Sequence, residues 1–275
     1  MPIHALSIFA CLPERQALGY LQSQCGFSRQ VCSGKLAQAR ARYGKPMPRA
    51  GHPDIQAIPP EYAPYLEQVK SNPRFKETID NGKLTYSFQL VEIEPLLAYQ
   101  YHISLEHLPE KCDTLDAMLR TCLPLEAGDL SIEQPCWEKD KVTITSLDLN
   151  TRLYDRPLHL VYDPQEKKRA LMGLIIGTGS PLVQVVKFEG RYYLKNGYHR
   201  AYYLRMNGII QLPCILLEAN SEADIGLSAG TLPMNILKSN NPPTMGHFTN
   251  DRAFTLPIKR FKRRIQISWA ETVEV

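Results

Sequence analysis

The residues best suited to chemistry lie where a strand-like segment ends in Asn196-Gly197 and a helix begins at once. The first turn of a helix presents unpaired backbone N–H groups and a partial positive charge, so acidic side chains are usual there. This helix begins instead with His199 and Arg200. A bound phosphate would accept hydrogen bonds from the backbone, the imidazole and the guanidinium, and Gly197 would let it approach closely. The pattern predicts a phosphate-binding turn.

Within this turn His199 and Arg200 are the candidate catalytic residues, because both can stabilise charge that develops on phosphate oxygens. Two other interpretations remain open on the sequence alone. Arginine and histidine near a helix start are common on solvated surfaces, and the pair would also suit a buried carboxylate elsewhere in the chain.

A dense basic cluster near residue 260 is the second feature with chemical potential. It places five positive charges within six residues and would suit nucleic-acid phosphates, while a solvated loop or a contact with an acidic face of the protein is equally consistent with it. A basic segment at residues 29–49 is typical of a DNA-reading helix pair or, more often, of a solvated helical face. The clustered residues are Lys259, Arg260, Lys262, Arg263 and Arg264.

Metal-binding patterns are weak in this chain. His102 and Glu106 have the i, i+4 spacing of metal ligands on one helical face, and His107 follows. No third ligand is evident and Pro109 follows closely, so a structural role is favoured and no metal site is predicted. His247 lies in a long loop of the kind that can cover a pocket.

The second half of the chain alternates strand and helix patterns around the turn. Glu189-Gly190 predicts a tight hairpin, and Asp163-Pro164 is a good helix start because Asp caps and Pro suits the first helical position. The predicted strands are 141–149, 181–188, 191–197 and 212–218, and the predicted helices are 163–175 and 199–206.

The first half is predicted to be mixed. Helices are expected at 13–24, 33–43 and 111–120, a strand at 86–93, and a proline-rich connector at 44–64. The expected class is α+β. The predicted segments are an N-terminal helical and mixed region of unknown role (1–135), an α+β domain (140–220), and a C-terminal extension (221–275) with the basic cluster and a final strand.

The run "GSPLVQVVKFEGRYYLKNGYHRAYYLRMNGIIQLPCIL" resembles the ParB N-terminal/sulfiredoxin superfamily. The shared features are a Gly-x-Pro entry at Gly179, a hairpin, Gly-x-[His/Arg]-Arg from Gly197, and a later Gly208 followed by an x-Pro strand at Leu212-Pro213. The resemblance extends over residues 141–218 and implies a ParB/sulfiredoxin-like mixed sheet.

The same resemblance implies a nucleotide site for ATP or CTP, with Mg²⁺ bound through the nucleotide. It assigns the phosphate to Gly197, His199 and Arg200, flanked by Asn196 and Tyr198. Basic residues of the preceding helix would assist, and the candidates are Lys167, Lys168 and Arg169.

Two departures from that superfamily limit the chemistry. Sulfiredoxins have a reactive cysteine directly before the His-Arg pair, where this chain has Tyr198, so sulfinic acid reduction is not expected. Partition-type ParB proteins have Gly-Glu-Arg-Arg, and this chain lacks that glutamate. The resemblance therefore points to a divergent member whose reaction the motif does not specify.

The amino-acid composition indicates the cellular compartment to expect. The chain has 275 residues, 44% hydrophobic residues, a net charge of +4 and seven cysteines without CxxC pairs, which is typical of a reduced cytoplasmic protein. The longest apolar stretch is broken by glycines and Pro181, so no membrane span and no membrane partner is expected.

These observations predict a nucleotide- or phosphate-binding protein with a DNA-associated role. Whether it is an enzyme stays open, and nucleotide hydrolysis, phosphoryl transfer and nuclease action are all compatible with the turn. The alternative is a non-catalytic DNA-binding or protein-interaction module that uses the basic segments 29–49 and 259–264. A homodimer is also compatible with the sequence.

Overall fold

Helices and sheets alternate along the chain in the computed structural model, so the α+β class is confirmed. The structure describes residues 2–44, 46–79, 83–106, 112–126, 132–147, 151–162, 170–178, 181–227, 231–260 and 262–272. They form two compact units. Unit 1 is Met1–Glu126 with Leu182–Arg260, and unit 2 is Ala127–Pro181 with Phe261–Val275.

The elements are numbered in chain order. The strands are β1 Ile3–Ser7, β2 Ile55–Ala57, β3 Thr85–Glu92, β4 Leu97–Ala98, β5 His102–Ser104, β6 Cys136–Glu138, β7 Lys141–Ser146, β8 Thr151–Tyr162, β9 Ala170–Thr178, β10 Gln184–Phe188, β11 Arg191–Asn196, β12 Gln211–Glu218, β13 Phe254–Ile258 and β14 Arg263–Ser268. The α-helices are α1 Glu14–Ser23, α2 Arg29–Tyr43, α3 Ala63–Ser71, α4 Pro73–Thr78, α5 Leu115–Cys122, α6 Tyr198–Met206, α7 Glu222–Ile225 and α8 Met234–Leu237.

A six-stranded mixed sheet in the order β2-β3-β12-β10-β11-β4 forms the centre of unit 1. Strand β12 is apolar and buried from Leu212 to Leu217, as expected for a strand covered on both faces. It pairs antiparallel with β3 and parallel with β10. The hairpin β10–β11 turns at Glu189-Gly190, both with positive φ, which is the backbone geometry of a tight two-residue turn.

A second sheet of unit 1 has the order β13-β1-β5. Strand β1 lies at its centre and pairs antiparallel with β13, from Ile3 opposite Ile258 to Ser7 opposite Phe254. On its other side β1 pairs with β5, with His102 opposite Ser7. Alternate residues of β1 are buried, so one face of this small sheet packs into the core.

Unit 2 contains the sheet β14-β7-β6 and the hairpin β8–β9. Its small core consists of Val142, Ile144 and Ile265, with Ile176 and Ile267 packed against it. The alternating burial of β7 places these apolar side chains on one face of the sheet.

The helix predicted at 163–175 is wrong over its second half, because Ala170–Thr178 is strand β9, paired with β8. Gly173 and Gly177 weaken a helix, and the β-branched Ile175 and Ile176 favour an extended chain. Residues 163–169 lie outside the described residues.

The predicted segments 1–135, 140–220 and 221–275 do not follow the division of the structure. Strand β7 pairs with β14 and β6 instead of the sheet that contains β10 to β12, so 140–220 is split between the two units. Pairing of β3 with β12 and of β1 with β13 joins the first and last thirds of the chain in unit 1. Among the helices of the described residues, none combines the length and apolar character needed to cross a membrane.

Candidate functional site

Gly197 precedes helix α6 and has a left-handed backbone, with φ 106° and ψ 23°. A Cβ atom at this position would lie 2.7 Å from Cγ2 of Val183, which is closer than van der Waals contact allows. Both the backbone angle and the packing of Val183 therefore require glycine. The sequence suggested a different reason, namely close approach of an anion.

Two neighbours of Gly197 are held by the fold. Tyr198 is 3% exposed, and its hydroxyl accepts a hydrogen bond from the N–H of Tyr99 at 2.5 Å and donates one to the carbonyl of Leu194 at 2.5 Å. Burial raises the pKa of this hydroxyl, so it stays protonated. Asn196 Nδ2 donates to the carbonyl of Leu182 at 3.0 Å. These contacts fix the turn between strands.

Arg200 contacts the end of helix α5. Its Nη1 donates to the carbonyl oxygens of Thr121 at 3.2 Å and Cys122 at 3.4 Å, where the helix has its partial negative charge. Burial raises the pKa of the Cys122 thiol to about 12, although the charge of Arg200 acts in the opposite direction. A protonated thiol is a poor nucleophile, so this cysteine is chemically inert at neutral pH.

Replacement of Arg200 by alanine is therefore expected to lower the free energy of unfolding by about 1–3 kcal/mol, because two helix-end carbonyls lose their donor. Urea unfolding at pH 7.5 measures this. The matched control is Arg205→Ala, on the same helix, whose ion pair with Glu94 at 2.8 Å is partly exposed and is expected to contribute below about 1 kcal/mol. Equal losses in the two variants would contradict the capping role.

His199 is the exposed member of the turn and lies at the second position of α6. It is an electrostatic neighbour of His102 on β5. Burial, together with the charge of His199, lowers the pKa of His102 to about 4, so His102 is a neutral imidazole at pH 7.

His102 is packed between two tyrosines. Its ring stacks on Tyr20 with centroids 6.1 Å apart and meets Tyr101 edge-on at 5.1 Å. The sequence pattern favoured a structural role for His102 and did not connect it with His199. No local pattern links α1, β5 and α6, because their proximity arises only from the tertiary fold.

Next to these tyrosines lies an open cleft of ≈ 380 Å³ in unit 1. Its lining comes from α1 and the residues that flank it, from the segment after β4 and from the segment before α8. The lining residues are Leu12, Gln16, Tyr20, Ser23, Gln24, Tyr101, Thr231 and Pro233. The turn at 196–200, the His102–His199 pair and this cleft together form the candidate site of unit 1.

The basic residues predicted to bind nucleic acid are divided between the two units. Lys259 and Arg260 belong to unit 1, and the other three belong to unit 2. Arg260 pairs with Glu106 at 2.5 Å and Lys262 with Glu133 at 2.6 Å. Arg263 and Arg264 are exposed at successive positions of β14, so they lie on opposite faces of the sheet.

The other predicted site residues are placed as follows. Lys167, Lys168, Arg169 and His107 lie outside the described residues. In the segment 29–49, Arg40 pairs with Glu14 at 3.2 Å and Arg49 with Asp54 at 2.6 Å. Within the described part of the chain, no group of three or more His, Cys, Asp or Glu side chains could hold a metal ion.

Comparison of the chain with known proteins gives no match to a family model, to a curated protein or to a solved structure. The functional assignment therefore depends on the residues and geometry described above.

Proposed function

We propose that unit 1 binds a small phosphorylated ligand, with a nucleotide such as ATP or CTP as the first candidate. The observation that supports this is the exposed His199 in the first turn of α6. Among the described residues, no side chain caps this turn and no acidic residue lies in it. The backbone N–H groups and the partial positive charge of the helix end then face an anion together with the imidazole.

The residues of the turn have unequal roles in this proposal. Gly197 and Tyr198 fix the backbone conformation of the turn. His199 is the side chain that would contact phosphate and donate a hydrogen bond to it when protonated. The guanidinium of Arg200 adds positive charge to the turn, but it donates hydrogen bonds to the end of α5. It is therefore a weaker phosphate ligand than the sequence suggested. A nucleotide would bring its own Mg²⁺.

The ParB/sulfiredoxin resemblance is part of this proposal, as the reason to begin with ATP and CTP. A DNA-associated role and turnover of the nucleotide depend on it and stay hypotheses. If turnover occurs, His199 would stabilise charge on the phosphate oxygens. The ion pairs of Arg260 and Lys262 favour this proposal over DNA binding through residues 259–264.

Thermal melting with ATP, CTP or inorganic phosphate, each with Mg²⁺, tests the proposal. Wild type is expected to melt at a higher temperature with ligand. His199→Ala is expected to bind about 10–100-fold more weakly, because one charge-assisted hydrogen bond is lost. His52→Ala, at another exposed histidine, should match wild type. Absence of any shift in wild type, or equal affinity in His199→Ala, would refute the proposal.

A further inference from the structure

The cleft beside Tyr20 and Tyr101 has an unusual lining. Among the described residues that form it, none carries a charge: there are two tyrosines, two glutamines, two hydroxyl residues and two apolar residues. Gln16 and Tyr20 are four residues apart and lie on one face of α1, and Gln24 follows after another four residues, directly after the end of the helix. Tyr101, which is half-buried, meets the ring of Tyr20 edge-on with centroids 5.1 Å apart.

An uncharged lining selects the kind of chemical group that enters. Transfer of a phosphate or carboxylate out of water is costly unless an opposite charge receives it, so the cleft favours a neutral group. Tyrosine rings stack on flat, polarisable rings. Each glutamine amide offers a donor and an acceptor in one plane, which matches the edge of a nucleobase.

The volume of the cleft and its position in unit 1 also suit a nucleobase. A volume of ≈ 380 Å³ lies at the small end of ligand pockets, which are typically about 300–1,000 Å³. His102 contacts both cleft tyrosines, and its strand β5 contacts helix α6, which has His199 in its first turn. The neutral cleft and the cationic helix start are therefore adjacent parts of one unit, as a ligand with a neutral ring and an anionic tail requires.

We propose that this cleft binds a nucleobase, stacked on Tyr101 and hydrogen-bonded by Gln16 and Gln24. The inference rests on the proposed function only for the phosphate half of the ligand, which would lie at His199. The base half has its own residues and is tested separately.

Isothermal titration of the full chain with two half-ligands separates the parts. Adenosine and cytidine carry a base without phosphate, and ribose 5-phosphate carries phosphate without a base. Both nucleosides are expected to bind wild type, and Tyr101→Ala is expected to weaken them by about 5–150-fold through loss of stacking. Gln16→Ala, at an exposed position that leaves the core intact, should weaken them by about 5–10-fold.

The controls assign each effect to a site. Gln22→Ala, also exposed on α1 but outside the cleft lining, should bind nucleosides like wild type. His199→Ala should bind nucleosides normally and lose ribose 5-phosphate. Binding of the nucleosides without binding of ribose 5-phosphate would support the nucleobase assignment and refute the phosphate proposal. Failure of both nucleosides, their insensitivity to Gln16→Ala and Tyr101→Ala, or binding of maltose in their place would overturn the nucleobase assignment.

Discussion

Gly197→Ala is expected to lower the free energy of unfolding by about 2–5 kcal/mol. A non-glycine residue in the left-handed region costs about 1–2 kcal/mol, and Gly197 has φ 106°. The new Cβ would also lie 2.7 Å from Cγ2 of Val183, and overpacking of this kind costs about 1–3 kcal/mol. Urea unfolding followed by circular dichroism measures the loss.

Two further variants separate these contributions. Gly208 has φ 82°, and no described atom lies within 4 Å of the position that an added methyl group would occupy, so Gly208→Ala isolates the backbone cost of about 1–2 kcal/mol. Val183→Ala combined with Gly197→Ala removes the clash, and the double-mutant cycle should give a favourable coupling of about 1–2 kcal/mol. Equal losses for Gly197→Ala and Gly208→Ala, with no coupling to Val183, would show that packing does not require the glycine.

Acid is expected to destabilise unit 1 between pH 6.5 and pH 4. His247 is fully buried and stacks on Tyr43 with centroids 4.4 Å apart. Burial, together with the charge of Arg252, lowers the pKa of His247 to about 4, whereas an unfolded chain has a histidine pKa near 6.5.

The direction of this pH dependence follows from proton uptake on unfolding. Below pH 6.5 the unfolded state binds a proton that the folded state does not, so the free energy of unfolding falls as pH falls, and it levels off below pH 4. The loss reaches about 3 kcal/mol for His247, and the similarly lowered pKa of His102 adds to it in the same window.

Urea unfolding at half-unit steps from pH 7.5 to 4 measures this slope. His247→Asn should be less stable than wild type at pH 7.5 but should lose less stability on acidification. The exposed His52→Ala variant should keep the wild-type slope. A wild-type slope in His247→Asn would show that this histidine is not responsible.

Locally encoded elements were predictable from the sequence. The hairpin at Glu189-Gly190 and helix α6 after Gly197 are confirmed, because a tight turn and a helix start are specified by a few adjacent residues. Helices α1 and α2 are confirmed for the same reason, near the positions that the apolar periodicity indicated.

Long-range features were not predictable from local patterns. Strand β9 is stabilised by its pairing with β8. Strand β7 pairs with β14, which lies more than a hundred residues further along the chain. A single sequence contains no local signal for such pairings.

The candidate site shows the same limit. The sequence singled out Gly197 and Arg200 as unusual, but their packing partners, Val183 and the end of α5, became evident only in the fold. His102, Tyr20 and Tyr101 were missed as a group because Tyr20 lies on α1, far along the chain from the adjacent Tyr101 and His102 at the start of β5. What the sequence did identify is the exposed His199 at a helix start.

The pairing of β1 with β13 has a consequence for how the protein is made. Ile3 is translated before its partner Ile258, which lies 255 residues further along the chain (258 − 3). At about 5–20 residues per second, this interval lasts roughly 10–50 s. During that time one edge of β1 lacks its native partner, and an unpaired strand edge is a surface that chaperones protect while translation proceeds.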